Sequence, residues 1–316
     1  MSRGLWMSPA SPKLVIIDTD PGVDDALALL YLRAHPDIRL LAITTVFGNA
    51  DIDTTTRNAL YLRDRLAPGA PVHRGAGAPL NRPRGASPVH VHGHNGLGDI
   101  DLGDTPPPEA GSAADRIVEL VRAHPGQITL LAIGPLTNLA LALRAAPDIA
   151  GLVAEVVVMG GAFGEGGRGG NVTPFAEANI HNDPEAAAEV LSATWPVTLV
   201  GLDVTTRCVL SKAAIQALTE CSTGRFVDAV TQGYVEAYGR FDGLDGCCLH
   251  DVAAAAYVLQ PDLFTVRAGG LSVALRGEHL GQTRWDTAGR SQQVCLEVEA
   301  DLLVESFLEA VRAVDR

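Results

Sequence analysis

Four carboxylates stand close together where the first apolar run ends: Asp18, Asp20, Asp24 and Asp25, in Lys13-Leu-Val-Ile-Ile-Asp18-Thr19-Asp20-Pro21-Gly22-Val23-Asp24-Asp25. The period of two places Asp18 and Asp20 on one side of a strand end, Pro21-Gly22 makes a turn, and Asp24 and Asp25 open a helix. Like charges about 4 Å apart repel by about 4 kcal/mol at an effective dielectric of about 20. A bound cation or protonation has to relieve that crowding. All-oxygen ligation suits hard ions, Ca²⁺ or Mg²⁺, and the carboxyl end of a strand is where open α/β sheets bind ligands. Helix capping accounts for Asp24 or Asp25 but not for Asp18 and Asp20 together. The cluster points to a cation and leaves the reaction open.

The elements that must position these groups are legible as an alternation. Short apolar or β-branched runs at Leu14 to Asp18, Arg39 to Val46, Ile128 to Ile133, Ala154 to Met159 and Val197 to Leu202 are separated by helical spacing. Leu27, Leu30 and Tyr31 show it, as do Ile117, Leu120 and Val121 behind the capping box Ser112-x-x-Asp115. The pattern predicts an α/β fold, a mostly parallel twisted sheet flanked by helices on both faces. Three stretches read as long loops: Gly75 to Gly111, Gly160 to Asn182 and Arg240 to His250. The glycines between Gly160 and Gly170 lack the Lys-Ser/Thr ending of a phosphate loop and fit no dinucleotide fingerprint, so they read as turns before Asn171. Residues 1–12 read as a flexible leader and residues 13–316 as one domain. Its C-terminal part, Phe264 to Val298, is mostly strand and precedes a last helix.

Composition removes several classes of function. The chain has 316 residues and a formal net charge of −13, with Lys13 and Lys212 its only lysines. At that charge balance a phosphate-tracking surface would have little to work with, and no nucleic-acid partner is expected. Val252 to Leu259 exemplifies the longest apolar runs, far short of the roughly 20 residues that span a bilayer. No membrane partner is expected. The start has no apolar h-region, and five cysteines (Cys208, Cys221, Cys247, Cys248 and Cys295) form no C-x-x-C pair. Reduced thiols and a cytoplasmic location are the matching expectation.

Asp18-Thr19-Asp20-Pro21-Gly22-Val23-Asp24-Asp25 resembles the signature of the calcium-dependent inosine-uridine-preferring nucleoside hydrolases. The likeness continues through Thr44-Thr45-Val46-Phe47-Gly48-Asn49, His92-Gly93, Gly134-Pro135-Leu136-Thr137-Asn138, Met159-Gly160-Gly161, Asn171, Glu177-Ala178-Asn179-Ile180 with Asp183-Pro184, and Leu249-His250-Asp251. These blocks run in the family's order from about residue 14 to 260, and together they are far more specific than any one of them. The resemblance implies the nucleoside hydrolase fold with a Rossmann-like core. It also implies hydrolysis of the N-glycosidic bond of ribonucleosides to free base and ribose.

By the same resemblance, Asp20, Asp25, Asp251 and the backbone carbonyl of Ile133 ligate Ca²⁺, with Asp18 supporting the cluster. Asp20 is then the general base toward water. Asp24, Asn49, Asn171, Glu177 and Asn179 match positions that hold ribose hydroxyls or order the water, and His92 matches a histidine that contacts substrate. His250, pinned beside Asp251, is the acid that protonates the leaving base, a role suited to an imidazole. Asn49 counts with Asp20 and His250 among the catalytic candidates. Taken singly, Asn171, Glu177 and Asn179 are also ordinary loop polars. Tyr234, Tyr238 and Phe241 fit either a cover over the base or the core. The family commonly forms dimers or tetramers, so a homo-oligomer is expected. Two features are the chain's own, Asp251-Val252 after the histidine and the Gly164 to Gly170 stretch, and base preference stays open.

Two other readings compete. A Mg²⁺-dependent phosphatase of the haloacid dehalogenase type also places Asp-x-Asp after its first strand, with Asp18 as nucleophile, but it needs a lysine and a strand-borne acidic pair. A catalytically silent nucleoside-binding protein would keep the site without turnover.

Overall fold

The computed structural model describes residues 11–164, 167 and 169–315. Most of the expected leader, and residues 165, 166 and 168 of the glycine-rich stretch, lie outside the described residues.

The strands in chain order are β1 (Lys13–Thr19), β2 (Ile38–Thr45), β3 (Val72–Arg74), β4 (Ile128–Ala132), β5 (Glu155–Met159), β6 (Val197–Val200), β7 (Val209–Ser211), β8 (Gly246–Cys248), β9 (Phe264–Val273), β10 (Thr283–Trp285) and β11 (Arg290–Val298). Nine of them form one sheet in the order β10-β9-β11-β6-β5-β4-β1-β2-β3. Within it β9 alone runs against the rest, pairing antiparallel with both β10 and β11. The short β7 and β8 make a separate antiparallel ladder.

The longer helices cover the faces: α1 (Val23–Arg33), α2 (Ile52–Leu66), then after the single turn α3 (Val89–His92) come α4 (Ala113–Ala123) and α5 (Thr137–Ala145). Next are the short α6 (Ala178–Asn182), α7 (Pro184–Ser192), the single turn α8 (Leu202–Thr205), α9 (Lys212–Leu218), α10 (Ser222–Phe241), α11 (His250–Leu259) and α12 (Ala300–Val314). Strand alternation decides which core each residue joins. Val15 and Ile17 of β1 face one core with α1, α2, α10, α11 and α12, while Ile16 faces a second core with α4, α5 and α7. Both faces are thus buried, which explains the near-continuous apolar strands. The Ser112 hydroxyl accepts from the Asp115 N–H at 3.1 Å and starts α4, as the capping box predicts.

Two expectations need correction. Arg240 to His250 is no long loop: α10 continues to Phe241, β8 occupies Gly246–Cys248, and α11 begins at His250. Helical spacing of Val227, Val230, Tyr234 and Ala237, all buried, carries α10 past the point where polar residues suggested an end. The Gly75 to Gly111 stretch likewise contains β-bridge and helical pieces, with α3 placing His92 toward the interior.

What the fold does for function follows from the strand order. Chain direction across the sheet reverses between β1 and β4, which pair directly. Helices leave to opposite faces there and open a crevice at the carboxyl ends. Asp18 to Asp20 close β1, Val46 to Asn49 follow β2, and Ile133-Gly134 follow β4, all at that crevice.

Candidate active site

Burial of charge defines the site. Asp18, Asp20, Asp24, Asp25 and Asp251 are all buried, none more than 9% exposed. Asp24 and Asp25 enter from the first turn of α1 and Asp251 from the first turn of α11, helices that pack against each other. Carboxylate oxygens of Asp24, Asp25 and Asp251 come within 4.8 Å of one another. Residues 226 positions apart in the chain are thus joined by two helix N-termini, whose partial positive charge favours carboxylates.

Asp20 sits beside this trio. Its Oδ2 accepts the Asn49 N–H at 2.7 Å, and its Oδ1 is buried without a hydrogen-bond partner. Glycine is required around it: a Cβ at Gly134 would stand 2.7 Å from Asp20 Oδ1, and one at Gly48 would overlap Oδ2. Asp25 accepts from the Thr19 hydroxyl, from the Gly22 N–H at 2.8 Å and from Asn49 Nδ2 at 3.1 Å. Asp18 accepts from the Thr44 hydroxyl at 2.6 Å and from Asn138 Nδ2 at 2.8 Å, while its Oδ2 has no partner. Asn138 therefore does more than begin α5; it also ties β1 to the Thr45 carbonyl of β2.

Desolvation disfavours the charged form of each carboxylate. Burial pushes Asp18 up to about 7, with Thr44 and Asn138 opposing. Burial and then Asp25 hold Asp20 well above the ordinary carboxylate range. Asp24 and Asp25 rise to about 6, again chiefly by burial. Asp251 is raised well above its usual value by burial, then by Asp24, Asp25, Asp20 and Glu177. Buried carboxylate oxygens without a hydrogen-bond partner remain on Asp18, Asp20 and Asp24, and a hard cation with oxygen ligands is the partner that such a set fits. The cluster can hold a metal ion.

The neighbouring candidates take distinct places. His92 Nδ1 accepts the Val23 N–H at 3.2 Å, and burial lowers its pKa to about 4, so it is a neutral imidazole. Glu177 caps α6: its carboxylate accepts from Asn179 N–H at 2.8 Å and from the Ile180 and Gly161 N–H groups at 3.1 Å each. Asn179 Nδ2 donates to the carbonyls of Ile133 and Met159, both at 3.1 Å, so it holds the ends of β4 and β5 together. The Ile133 carbonyl keeps a second lone pair. Asn171 stands apart: it is exposed, and its Oδ1 accepts the Ala178 N–H at 3.0 Å.

His250 lies between two hydroxyls. Thr205 Oγ1 is 2.7 Å from Nδ1 and the Tyr238 hydroxyl is 2.5 Å from Nε2. Tyr238 packs edge-on to Tyr234, which in turn lies against His92 with ring centroids 5.3 Å apart. The Tyr234 hydroxyl also hydrogen-bonds Asp24. An aromatic wall thus runs from His250 to the acidic cluster. Sequence patterning left Tyr234 and Tyr238 undecided between core and site, and it missed Thr205 altogether. The spacing of 234 and 238 on one helix face and the family resemblance are the signals that point to the wall. Alongside, a cleft of about 270 Å³ lies between residues 89–99 and α10, with His90, Asp99, Arg240 and Phe241 in its lining.

Neither lysine serves this site. Lys13 lies at the far end of β1 and donates to the Val258 carbonyl, and Lys212 is exposed at the start of α9. That removes the lysine a dehalogenase-type phosphatase needs.

Comparison with known proteins agrees. The family model described as inosine-uridine preferring nucleoside hydrolase matches residues 15–305. Uridine nucleosidase 1 of Arabidopsis thaliana is 41% identical over 281 residues, covering 86% of this chain and 81% of the other. The inosine-uridine preferring nucleoside hydrolase of Crithidia fasciculata is 37% identical over 308 residues, 94% of this chain and 95% of the other. A solved structure, the purine-preferring ribonucleoside hydrolase from Gardnerella vaginalis, superposes with a TM-score of 0.91 at 32% identity, covering 96% of this chain and 99% of its own. With a family match over nearly its whole length and a site of buried carboxylates at the sheet's switch point, the chain belongs to the inosine-uridine preferring nucleoside hydrolase family.

Proposed function

We propose that this nucleoside hydrolase cleaves ribonucleosides with Ca²⁺ held at the acidic cluster, Asp20 as general base and His250 as acid for the leaving base. The observation that carries the reading is the set of buried carboxylate oxygens without partners on Asp18, Asp20 and Asp24. Asp20, Asp25, Asp251 and the Ile133 carbonyl would hold the ion. When bound, Ca²⁺ supplies positive charge that offsets the burial of these carboxylates and makes a nearby water more acidic.

The chain's own groups do the rest. Asp20 has one oxygen fixed by Asn49 and the other available, so it can take a proton from water as that water's oxygen bonds to the ribosyl carbon. Asp24, Asn49, Asn171, Glu177 and Asn179 would supply acceptors for a ribose diol, with amide donors from Asn49 and Asn171, and neutral His92 adds an uncharged contact. Asn171 would have to turn inward from its exposed position to join them. The bond from the ribosyl carbon to the base nitrogen breaks as that nitrogen takes a proton from His250. The products are free base and ribose. Developing positive charge on the ribosyl carbon is favoured by the surrounding carboxylates.

Residues 13–316 act as one catalytic domain in this reading, assembled as a dimer or tetramer as the family resemblance implies. None of the five cysteines forms a disulfide, in keeping with a cytoplasmic enzyme. Among the described residues no helix is long and apolar enough to cross a membrane.

A panel of purine and pyrimidine ribonucleosides assayed for free base and reducing sugar tests the reaction. Release from at least one is expected; tight binding without release would mean a silent binding protein. A relative named for uridine and a neighbour named for purines bracket the range to assay. The acid is tested separately. His250→Ala is expected to slow natural nucleosides by about 10²-fold or more, while p-nitrophenyl riboside, whose leaving group departs without a proton, is much less affected. Equal losses on both substrates would argue against leaving-group acid catalysis.

A further inference from the structure

We propose that Thr205 is a positioning residue for His250: its hydroxyl holds Nδ1 so that Nε2 stays turned toward the Tyr238 hydroxyl, the side from which the departing base would be protonated. This rests on His250 being the leaving-group acid. Thr205 is wholly buried at the end of α8, and its Oγ1 lies 2.7 Å from His250 Nδ1. The backbone makes the placement firm. α8 springs from the end of β6 at Gly201, where a Cβ would stand 2.6 Å from the Gly161 carbonyl, so the turn is packed tightly against the sheet end. Gly201 O accepts from the Val204 and Thr205 N–H groups, both at 3.1 Å. From there the Thr205 carbonyl accepts from Cys208 N–H at 3.2 Å, and Cys208 O accepts from Leu249 N–H at 2.8 Å. The segment carrying Thr205 and the one carrying His250 are therefore joined twice, once through main chain and once through the side chains.

The side-chain link has a specific consequence for the imidazole. The torsion that turns a histidine ring is broad and roughly two-fold, so a ring without a partner at Nδ1 can rotate and exchange its nitrogens. Threonine, stiff at χ1, offers Nδ1 a hydroxyl in one place. The hydrogen bond at one ring nitrogen fixes what the other can do. With Nδ1 engaged, Nε2 is directed to the Tyr238 hydroxyl at 2.5 Å and the aromatic wall beyond it. An acid needs a proton on Nε2, so a neutral ring accepts the Thr205 hydroxyl at Nδ1 and an imidazolium donates to it there; the hydroxyl can serve both, because it donates and accepts.

The test compares Thr205→Val, Thr205→Ser and His250→Ala on inosine, uridine and p-nitrophenyl riboside. Valine is close to threonine in shape and replaces the hydroxyl by a methyl group that can neither donate nor accept. Thr205→Val is expected to lower kcat on the nucleosides by about 10- to 100-fold, the scale of a misplaced catalytic group, with p-nitrophenyl riboside turned over at close to the wild-type rate. Thr205→Ser is expected to restore most of the nucleoside rate. Thr205→Ala serves in place of valine if that variant does not fold, turnover of p-nitrophenyl riboside being the check on folding. Wild-type nucleoside turnover without the hydroxyl, or equal losses on all substrates, would overturn the positioning role. If His250→Ala itself loses equally on all substrates, the acid assignment falls first; if it is selective and Thr205→Val is not, only the Thr205 inference falls.

Discussion

Replacing Asp20 by Asn is expected to lower kcat on ribonucleosides by about 10²- to 10⁴-fold while the chain stays folded, the loss that follows removal of a general base. The substitution is nearly isosteric. Its amide oxygen can still accept the Asn49 N–H that now reaches Asp20 Oδ2, and the gap left by Gly48 and Gly134 admits the same shape. What is lost is an oxygen able to bind a proton from water. Asparagine also removes a carboxyl whose ionised form is opposed by burial first and then by Asp25 and Asp24, so thermal unfolding in the presence of chelator should occur at the wild-type temperature or above it. Steady-state kinetics and a melting curve on the same preparation check both statements. Turnover like that of wild type would contradict the assignment of Asp20.

Stripping divalent metal is expected to abolish turnover, and Ca²⁺ readdition to restore it. The same operation should change stability in a pH-dependent way whose sign the carboxylates dictate. Asp18 is held up to about 7 and Asp24 and Asp25 to about 6 by burial, all above the ordinary carboxylate value near 3.9. A group raised on folding contributes stability that is fully present below its unfolded pKa and lost as pH rises through its folded pKa. The metal-free chain should therefore be more stable near pH 5 than near pH 8. Ca²⁺ binds the ionised carboxylates of the folded state, so its stabilisation, which grows with ion concentration over Kd, should be larger at pH 8. Melting temperatures with and without Ca²⁺ at the two pH values measure it; an increment larger at pH 5 would be the wrong sign.

Much of this was legible in the residues because the physics is local. Val15 to Ile17, Ile43, Leu130 and Val156 to Val158 are apolar runs buried on both faces, and such runs announce a parallel sheet. Asp18, Asp20, Asp24 and Asp25 are contiguous, so their crowding needs no tertiary knowledge. The strands β3, β7, β8 and β10, three residues each, carry too few residues to show a period. The end of α10 was misplaced because an amphipathic helix can continue through polar residues when one face stays buried. Asp251, His250 and Thr205 meet the N-terminal cluster only through the packing of α11 on α1 and of α8 beneath it. A motif resemblance could flag the first two, but Thr205 has no signature: a single buried hydroxyl acquires its role from where β6 ends. Glu177 shows the converse, since three backbone N–H groups already occupy its carboxylate and its part as a helix cap is structural whatever it does for ribose.

The direct measurement is a calorimetric titration of the chelator-stripped chain with Ca²⁺, beside the double variant Asp25→Ala/Asp251→Ala. One ion bound per chain in the wild type and none in the variant is the expected result. A wild-type chain that takes up no Ca²⁺, or a variant that binds it as well as wild type does, would contradict a cation held among the buried carboxylates.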